Sequence, residues 1–307
     1  MADRRQDLRI AFGCGRLTGG ARTREAVRLV ETALSFGVTH FDTAPGYGLG
    51  TSESALAKAL GSKIKEVTIS TKVGLPRPTG TESRILAGYL LRPILKRFPN
   101  FKKGLIKATS GQESRSDFSL RLIEASLEQS LLELGRDYVD LLFLHEAMVA
   151  DVTPEILEFL TSRKSAGRIG KYGICSGASW IDFDQGSLGP DWSMQFCWDS
   201  GLLKSGSLIP VGNDTFVHGV VRDLTNSESD LRLRRELDRV LEQEPSFSRN
   251  NQNAEVILIL SAVLAALPDT TVVYSTTSAK RLSAVLDHLK DDQIIKLGQT
   301  FLTQYRS

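Results

Sequence analysis

Short apolar runs rich in β-branched residues alternate along this chain with longer segments whose apolar positions repeat at helical spacing, and few folds absorb such a sequence. The alternation is that of βα units and a parallel sheet. Residues 8–12 read as a strand, 23–36 as a helix closed by Gly37, 39–42 as a second strand, 52–60 as a helix ended by Gly61, and 67–72 as a third strand. Residues 119–134 form a further helix, and VDLLFLH at 139–145 is an almost wholly apolar strand, as expected of a strand covered on both faces. A helix over 154–166 and strands over 171–175 and 194–197 follow. A seventh strand falls within 213–221, helices within 231–243 and 254–267, and the last strand is TVVY at 271–274. About eight right-handed βα units in succession close more naturally into a (β/α)8 barrel than into a doubly wound sheet. No Pro-, Gly- or Ser-rich linker divides them, so residues 1–307 read as one barrel domain.

Two stretches break the rhythm, 75–117 and 200–229, and loops of that length in a compact domain are usually binding loops or lids. The first carries Lys96, Arg97, Lys102, Lys103 and Lys107, read here as a solvated basic loop over a clamp for an anionic substrate. The whole chain is close to electroneutral, 38 Lys and Arg against 36 Asp and Glu, which argues against a nucleic-acid partner and for a small molecule. The start, MADRRQDLRIAFG, has charges where a signal peptide needs an apolar core. The most apolar stretch, 256–267, is about half of the ~20 residues that cross a bilayer, so it predicts a buried helix and no membrane span. Cys14, Cys175 and Cys197 have no metal-ligand spacing and read as small buried residues in a reducing cytoplasm.

In a barrel of this type the reactive groups sit at the C-terminal ends of the strands. Asp42 ends the second strand, Tyr47 follows in its loop, Lys72 ends the third strand and His145 the fourth. Any one of them is an ordinary cap, solvent-reaching cation or structural histidine; together they converge on one mouth of the barrel, as chemistry requires. A tyrosine hydroxyl, with a pKa near 10, exchanges protons usefully at neutral pH only when its anion is stabilised. Lys72 would supply that stabilisation, Asp42 would keep Lys72 charged, and a neutral His145 would orient and polarise a carbonyl.

HFDTAPGYGLGTSE (40–53), ISTKVG (69–74) and VDLLFLHE (139–146) resemble the motifs of the aldo-keto reductases over nearly the whole chain. The resemblance implies that Asp42, Tyr47, Lys72 and His145 are that family's catalytic tetrad, that hydride passes directly between NADP(H) and substrate, and that no metal takes part. YGICSG (172–177) is similar to the segment whose Ser-Asn pair, with a later glutamine, holds the nicotinamide carboxamide. Here the pair is Cys175 and Ser176, so Ser176 and Gln195 are carried over and Cys175 is not. Trp198 matches the position of a ring stacked on the nicotinamide.

VVYSTTSAKRLSAVL (272–286) is similar to the turn that grips the adenosine phosphate. Ser275, Thr276 and Thr277 place hydroxyls and N–H groups near a helix N-terminus, and Lys280 or Arg281, Arg281 by matching position, can pair the phosphate. Ser275 stands where the family often has Gly or Lys, and Val285 where an Asn commonly meets the adenine. About seven residues precede the first strand, too few for the hairpin that seals many relatives at the barrel bottom.

The motifs point nearest to the sugar-oxidising branch, similar to aldose and galactose dehydrogenases, with an aldehyde, ketone or aldose as substrate. A nucleotide-binding regulatory barrel with little turnover, like the channel-associated relatives, is the second reading. A Schiff-base isomerase or aldolase using Lys72 is the third, but it leaves Tyr47 and the phosphate turn unexplained.

Overall fold

The computed structural model describes residues 8–78, 116–179, 189, 191–205, 214–222, 224, 231–248 and 251–307. Eight parallel strands close in sequential order, β1 (Ile10–Gly13), β2 (His40–Asp42), β3 (Thr68–Val73), β4 (Val139–His145), β5 (Ile169–Ser179), β6 (Trp192–Cys197), β7 (Thr215–His218) and β8 (Thr270–Tyr274), with β8 pairing back onto β1. This is the (β/α)8 barrel expected from the alternation. Around it run α1 (Thr23–Ser35), α2 (Ser52–Leu60), α3 (Leu120–Leu134), α4 (Pro154–Ser165), α5 (Gly201–Ser205), α6 (Leu231–Gln243), α7 (Pro245–Ser248), α8 (Ala254–Ala266), α9 (Ala279–His288) and α10 (Asp292–Arg306).

Local chemistry sets several of these boundaries. The α3 helix ends on Gly135 in the left-handed conformation (φ 62°) that a side chain would resist, and α4 starts at Pro154 under a Thr153 cap that accepts from the Ile156 N–H. Helix α8 is apolar on nearly every side and is buried along its length, packed against α10 and α6. That accounts for the 256–267 run without a membrane, and among the described residues no helix is long and apolar enough to cross one.

Strand alternation divides the interior in two. Outward-facing residues such as Phe12, Phe41, Ile69, Leu142 and Val217 join the helices in one large apolar shell, while Ala11, Leu141, Phe143, Cys175, Phe216 and Val273 form a separate cluster inside the barrel. The inward residues nearer the C-terminal ends of the strands are polar: Asp42, Lys72, His145, Gln195 and His218. All three cysteines are free and buried, as their spacing suggested. The loop readings for 75–117 and 200–229, with the basic residues of the first, lie for the most part outside the described residues, as does the segment before β1.

Candidate active site

Asp42, the last residue of β2, is 3% exposed and accepts three side-chain hydrogen bonds. Its Oδ1 accepts from Lys72 Nζ at 2.7 Å and from the Ser70 hydroxyl at 2.8 Å, and its Oδ2 from Gln195 Nε2 at 3.3 Å. Lys72, 0% exposed on the neighbouring strand, also donates to the Thr43 carbonyl at 2.9 Å. Ser70 is linked in turn to His40 Nε2 (3.1 Å), and His40 Nδ1 to the Thr68 hydroxyl (2.8 Å). Polar contacts therefore run from the barrel floor to Lys72.

Tyr47 lies in the turn after β2, with Lys72 Nζ 4.7 Å from its ring centroid and the His145 ring 5.8 Å away, edge to face at 83°. The structure thus brings together the three residues that the sequence placed at strand ends and the tyrosine that it placed in the loop after the second strand.

Burial would raise the carboxyl pKa of Asp42, but the Lys72 ammonium and the hydrogen bonds from Lys72 and Ser70 outweigh it and hold Asp42 ionised. Burial likewise disfavours the Lys72 ammonium, and the Asp42 carboxylate more than compensates, keeping Lys72 charged. His145 is pushed down to about 3, by burial first and then by the Lys72 ammonium, and is neutral.

For Tyr47 the outcome differs from the expectation. Lys72 does favour the phenolate, but burial, aided by the Asp42 carboxylate, wins and raises the phenol above its usual pKa. Tyr47 rests as the protonated phenol.

The remaining candidates divide. Gln195 uses its amide nitrogen on Asp42 and leaves its carbonyl oxygen buried without a partner among the described residues. Ser176, 3% exposed, follows Cys175, the β5 residue paired with Gln195, and its hydroxyl lies near Met148 Sδ at 3.8 Å. Trp198 is not brought to the mouth. It lies just past the end of β6, and its indole, 2% exposed, packs in the outer apolar shell.

At the end of β8 the phosphate-turn candidates collect at the start of α9. Ser278 caps that helix by accepting from the Arg281 N–H at 3.2 Å, and Thr276 Oγ1 accepts from the Ser278 N–H at 3.3 Å. Thr277, Lys280 and Arg281 are exposed, and Ser275 spends its hydroxyl on the Gly13 carbonyl at 2.8 Å. Val285 is fully buried in the apolar shell.

Several residues escaped the sequence reading. His218 ends β7 facing inward, its pKa pushed to about 4 by burial, with Nδ1 unpartnered among the described residues. Its signal was a histidine closing the short run TFVH, just as His145 closes VDLLFLH. Cys175, set aside as a departure from a motif, faces the barrel interior, close enough to feel Lys72 and Asp42. Tyr274 buries its hydroxyl beside Thr276 and in the field of Arg281, its phenol raised to about 12 by burial. Among the described residues no cluster of His, Cys, Asp and Glu could hold a metal ion.

Comparison with known proteins adds to this geometry. The model of the Aldo/keto reductase family matches residues 9–183, more than half the chain. D-threo-aldose 1-dehydrogenase of a Pseudomonas species is 34% identical over 142 residues, 44% of this chain and 38% of the relative. The 6-dehydroglucose reductase of Agrobacterium fabrum is 25% identical over 185 residues, 59% of this chain and 54% of the relative. The matched region spans about half of these curated relatives or less. Among solved structures, glycerol dehydrogenase of Gluconobacter oxydans superposes with a TM-score of 0.65 at 20% identity, covering 97% of this chain and 92% of that one. An aldo-keto reductase of Klebsiella pneumoniae, solved in complex with NADPH, superposes at 0.61 and 15% identity, covering 95% and 90%. At such identities the superpositions speak for the fold alone.

Proposed function

The chain belongs to the aldo/keto reductase family, and on that premise we propose that it is an NADP(H)-dependent oxidoreductase interconverting a carbonyl compound, an aldehyde, ketone or aldose, with its alcohol. The observation that carries the reading is the buried Asp42–Lys72 pair directly beneath the Tyr47 ring, with neutral His145 at its edge. When bound, the nicotinamide cofactor supplies or accepts the hydride. Tyr47 does the proton chemistry: resting as a phenol, it is loaded to protonate a carbonyl oxygen as that oxygen gains charge, and Lys72 stabilises the phenolate left behind. Asp42 holds Lys72 charged and in place. His145, neutral at physiological pH, donates a hydrogen bond to the same oxygen and orients it. In the reverse direction Tyr47 is the base, and the Lys72 ammonium lowers the cost of deprotonating it.

Support for the cofactor comes from the Gln195 carbonyl oxygen, buried without a partner among the described residues, and from the N-terminus of α9. Ser176 and the unpartnered Gln195 carbonyl oxygen would meet the two ends of the carboxamide, Gln195 being fixed through its other end by Asp42. The N-terminus of α9, with Ser275, Thr276, Thr277, Lys280 and Arg281, would hold the adenosine phosphate. An aldose is the favoured substrate class because the motifs lie nearest the sugar-oxidising branch and D-threo-aldose 1-dehydrogenase is a relative at 34% identity over 142 residues. We read the whole of residues 1–307 as this one catalytic barrel.

Calorimetric titration with NADPH and with NADH tests the cofactor side. NADPH is expected to bind at least ten times more tightly, and Arg281→Ala to remove most of that difference. Failure of both nucleotides to bind would end the reading.

A further inference from the structure

Tyr47 sits in an unusual piece of backbone. The three residues after it, Gly48, Leu49 and Gly50, all have positive φ (56°, 60° and 86°), and Leu49 is one of two non-glycine residues in that region among those described. An L side chain is disfavoured there, so a turn of this shape persists only when its surroundings hold it. Position 48 admits nothing but glycine, because a Cβ would lie 1.8 Å from the Leu17 carbonyl oxygen.

Beside the Gly48 N–H donated to the Gly15 carbonyl at 3.2 Å and the Thr51 hydroxyl donated to the Gly48 carbonyl at 2.9 Å, the turn is held by an ion pair outside the catalytic mouth. Glu53, in the first turn of α2, is 0% exposed. One of its carboxylate oxygens accepts from the Thr71 hydroxyl at 2.6 Å, on the outer face of β3 next to Lys72. The other accepts from Arg77 Nη2 at 2.5 Å. Arg77, four residues beyond β3, donates its second nitrogen to the Gly50 carbonyl at 2.8 Å, three residues after Tyr47. The strand that carries Lys72 and the turn that carries Tyr47 are thus tied by one carboxylate and one planar guanidinium. Arginine can make such a two-ended bridge, whereas lysine offers only a point charge.

We propose that Glu53 and Arg77 are positioning residues whose ion pair sets the placement of the Tyr47 hydroxyl relative to Lys72. The proposal rests on the reading of Tyr47 as the proton donor. It adds that the donor's position is fixed from outside the mouth, by Arg77 just after β3, and it predicts a loss concentrated in the chemical step. A displacement of about 1 Å at a reacting group can cost on the order of a hundredfold in rate.

The test uses the full chain with Arg77→Met, which keeps an apolar stem in the half-buried site, and Arg77→Lys, which keeps the charge facing Glu53 and loses the planar fork. The readouts are kcat, KM, NADPH affinity and, independently of turnover, the titration of Tyr47 by carbon NMR of ring-labelled tyrosine, with Tyr47→Phe assigning the resonance. Arg77→Met should lower kcat ten- to a hundredfold with NADPH affinity within about twofold of the parent, and Arg77→Lys should fall between. In both variants the Tyr47 titration should move down towards the ordinary phenol value as the turn opens to water. An unchanged Tyr47 titration, or a kcat that falls only in step with nucleotide affinity, overturns the proposal and leaves the oxidoreductase reading standing. A parent protein that turns over no carbonyl or sugar sinks that reading, and the Tyr47 titration still decides whether the ion pair sets the position of the turn.

Discussion

Replacing Lys72 by methionine keeps most of the unbranched stem, removes its charge, and leaves Asp42 buried at 3% exposure with hydrogen bonds from Ser70 and Gln195 only. Breaking a buried ion pair from one side costs roughly 3–5 kcal/mol, chiefly because the surviving charge is stranded. Asp42 has an escape, since it can take up a proton, and the electrostatic cost cannot exceed the free energy of protonating an ordinary carboxyl at the working pH. From a reference pKa of about 3.9 that ceiling is roughly 4 kcal/mol at pH 7 and roughly 1.5 kcal/mol at pH 5. The sign follows. In the variant the folded-state pKa of Asp42 lies above its unfolded value, so the folded state holds the extra proton, and the stability this confers at low pH is lost as pH rises. At roughly 2–4 °C per kcal/mol, Lys72→Met should unfold about 8–16 °C below the parent at pH 7 but only about 3–6 °C below it at pH 5. Differential scanning calorimetry at the two pH values reads this directly. In Asp42→Asn/Lys72→Met no charge is stranded, so the pH dependence of the difference should vanish and most of the loss at pH 7 should be recovered. Equal, pH-independent losses in the single and double variants would refute the electrostatic argument.

Two further outcomes follow from the same geometry. His40, His145 and His218 all have folded-state pKa values below the usual 6.5, burial being the main cause in each, so the unfolded chain binds more protons and stability falls as pH drops from about 6.5 towards 4. Each such histidine contributes up to about 1.4 kcal/mol per pH unit in that window, and His218→Phe should flatten the slope measured by urea unfolding by about that much; an unaltered slope would exclude its burial as a neutral ring. Gly48→Ala should cost several kcal/mol or prevent folding, since the new Cβ meets a backbone oxygen that cannot swing aside. A stable, active Gly48→Ala protein would mean that the Tyr47 turn has a different backbone.

The fold was legible because each βα unit repeats one signal. The segment 139–145 and the helices over 52–60 and 231–243 coincide with the observed elements, the first marked by its unbroken apolar run and the helices by their apolar spacing. Strand β5 extends well past the expected 171–175, to Ile169–Ser179, because pairing with β4 and β6 continues beyond the hydrophobic stretch. Helix α10 carried no expectation, although Asp291 caps it by accepting from the Gln293 N–H.

The site was legible where a residue's chemistry coincided with a strand end, as for Asp42, Lys72 and His145. It was illegible where side-chain direction decided. Trp198, just past the end of β6, packs into the large apolar shell, while Cys175 faces the barrel interior and His218 follows the inward Phe216 by two residues. The net effect on Tyr47 was out of reach for the same kind of reason. It is the difference between burial, which raises the phenol, and Lys72, which lowers it, and only coordinates give the depth of burial.

On the proposed reading, Tyr47 moves the proton while hydride passes to or from NADP(H). This reading is tested most directly by following nicotinamide absorbance during turnover of a panel of aldehydes and aldoses by the parent chain and by Tyr47→Phe. The account predicts substrate-dependent turnover with NADP(H) that falls by a factor on the order of a thousand in Tyr47→Phe while nucleotide affinity is retained. Turnover that survives the loss of the Tyr47 hydroxyl, or none with any carbonyl or sugar, would contradict it.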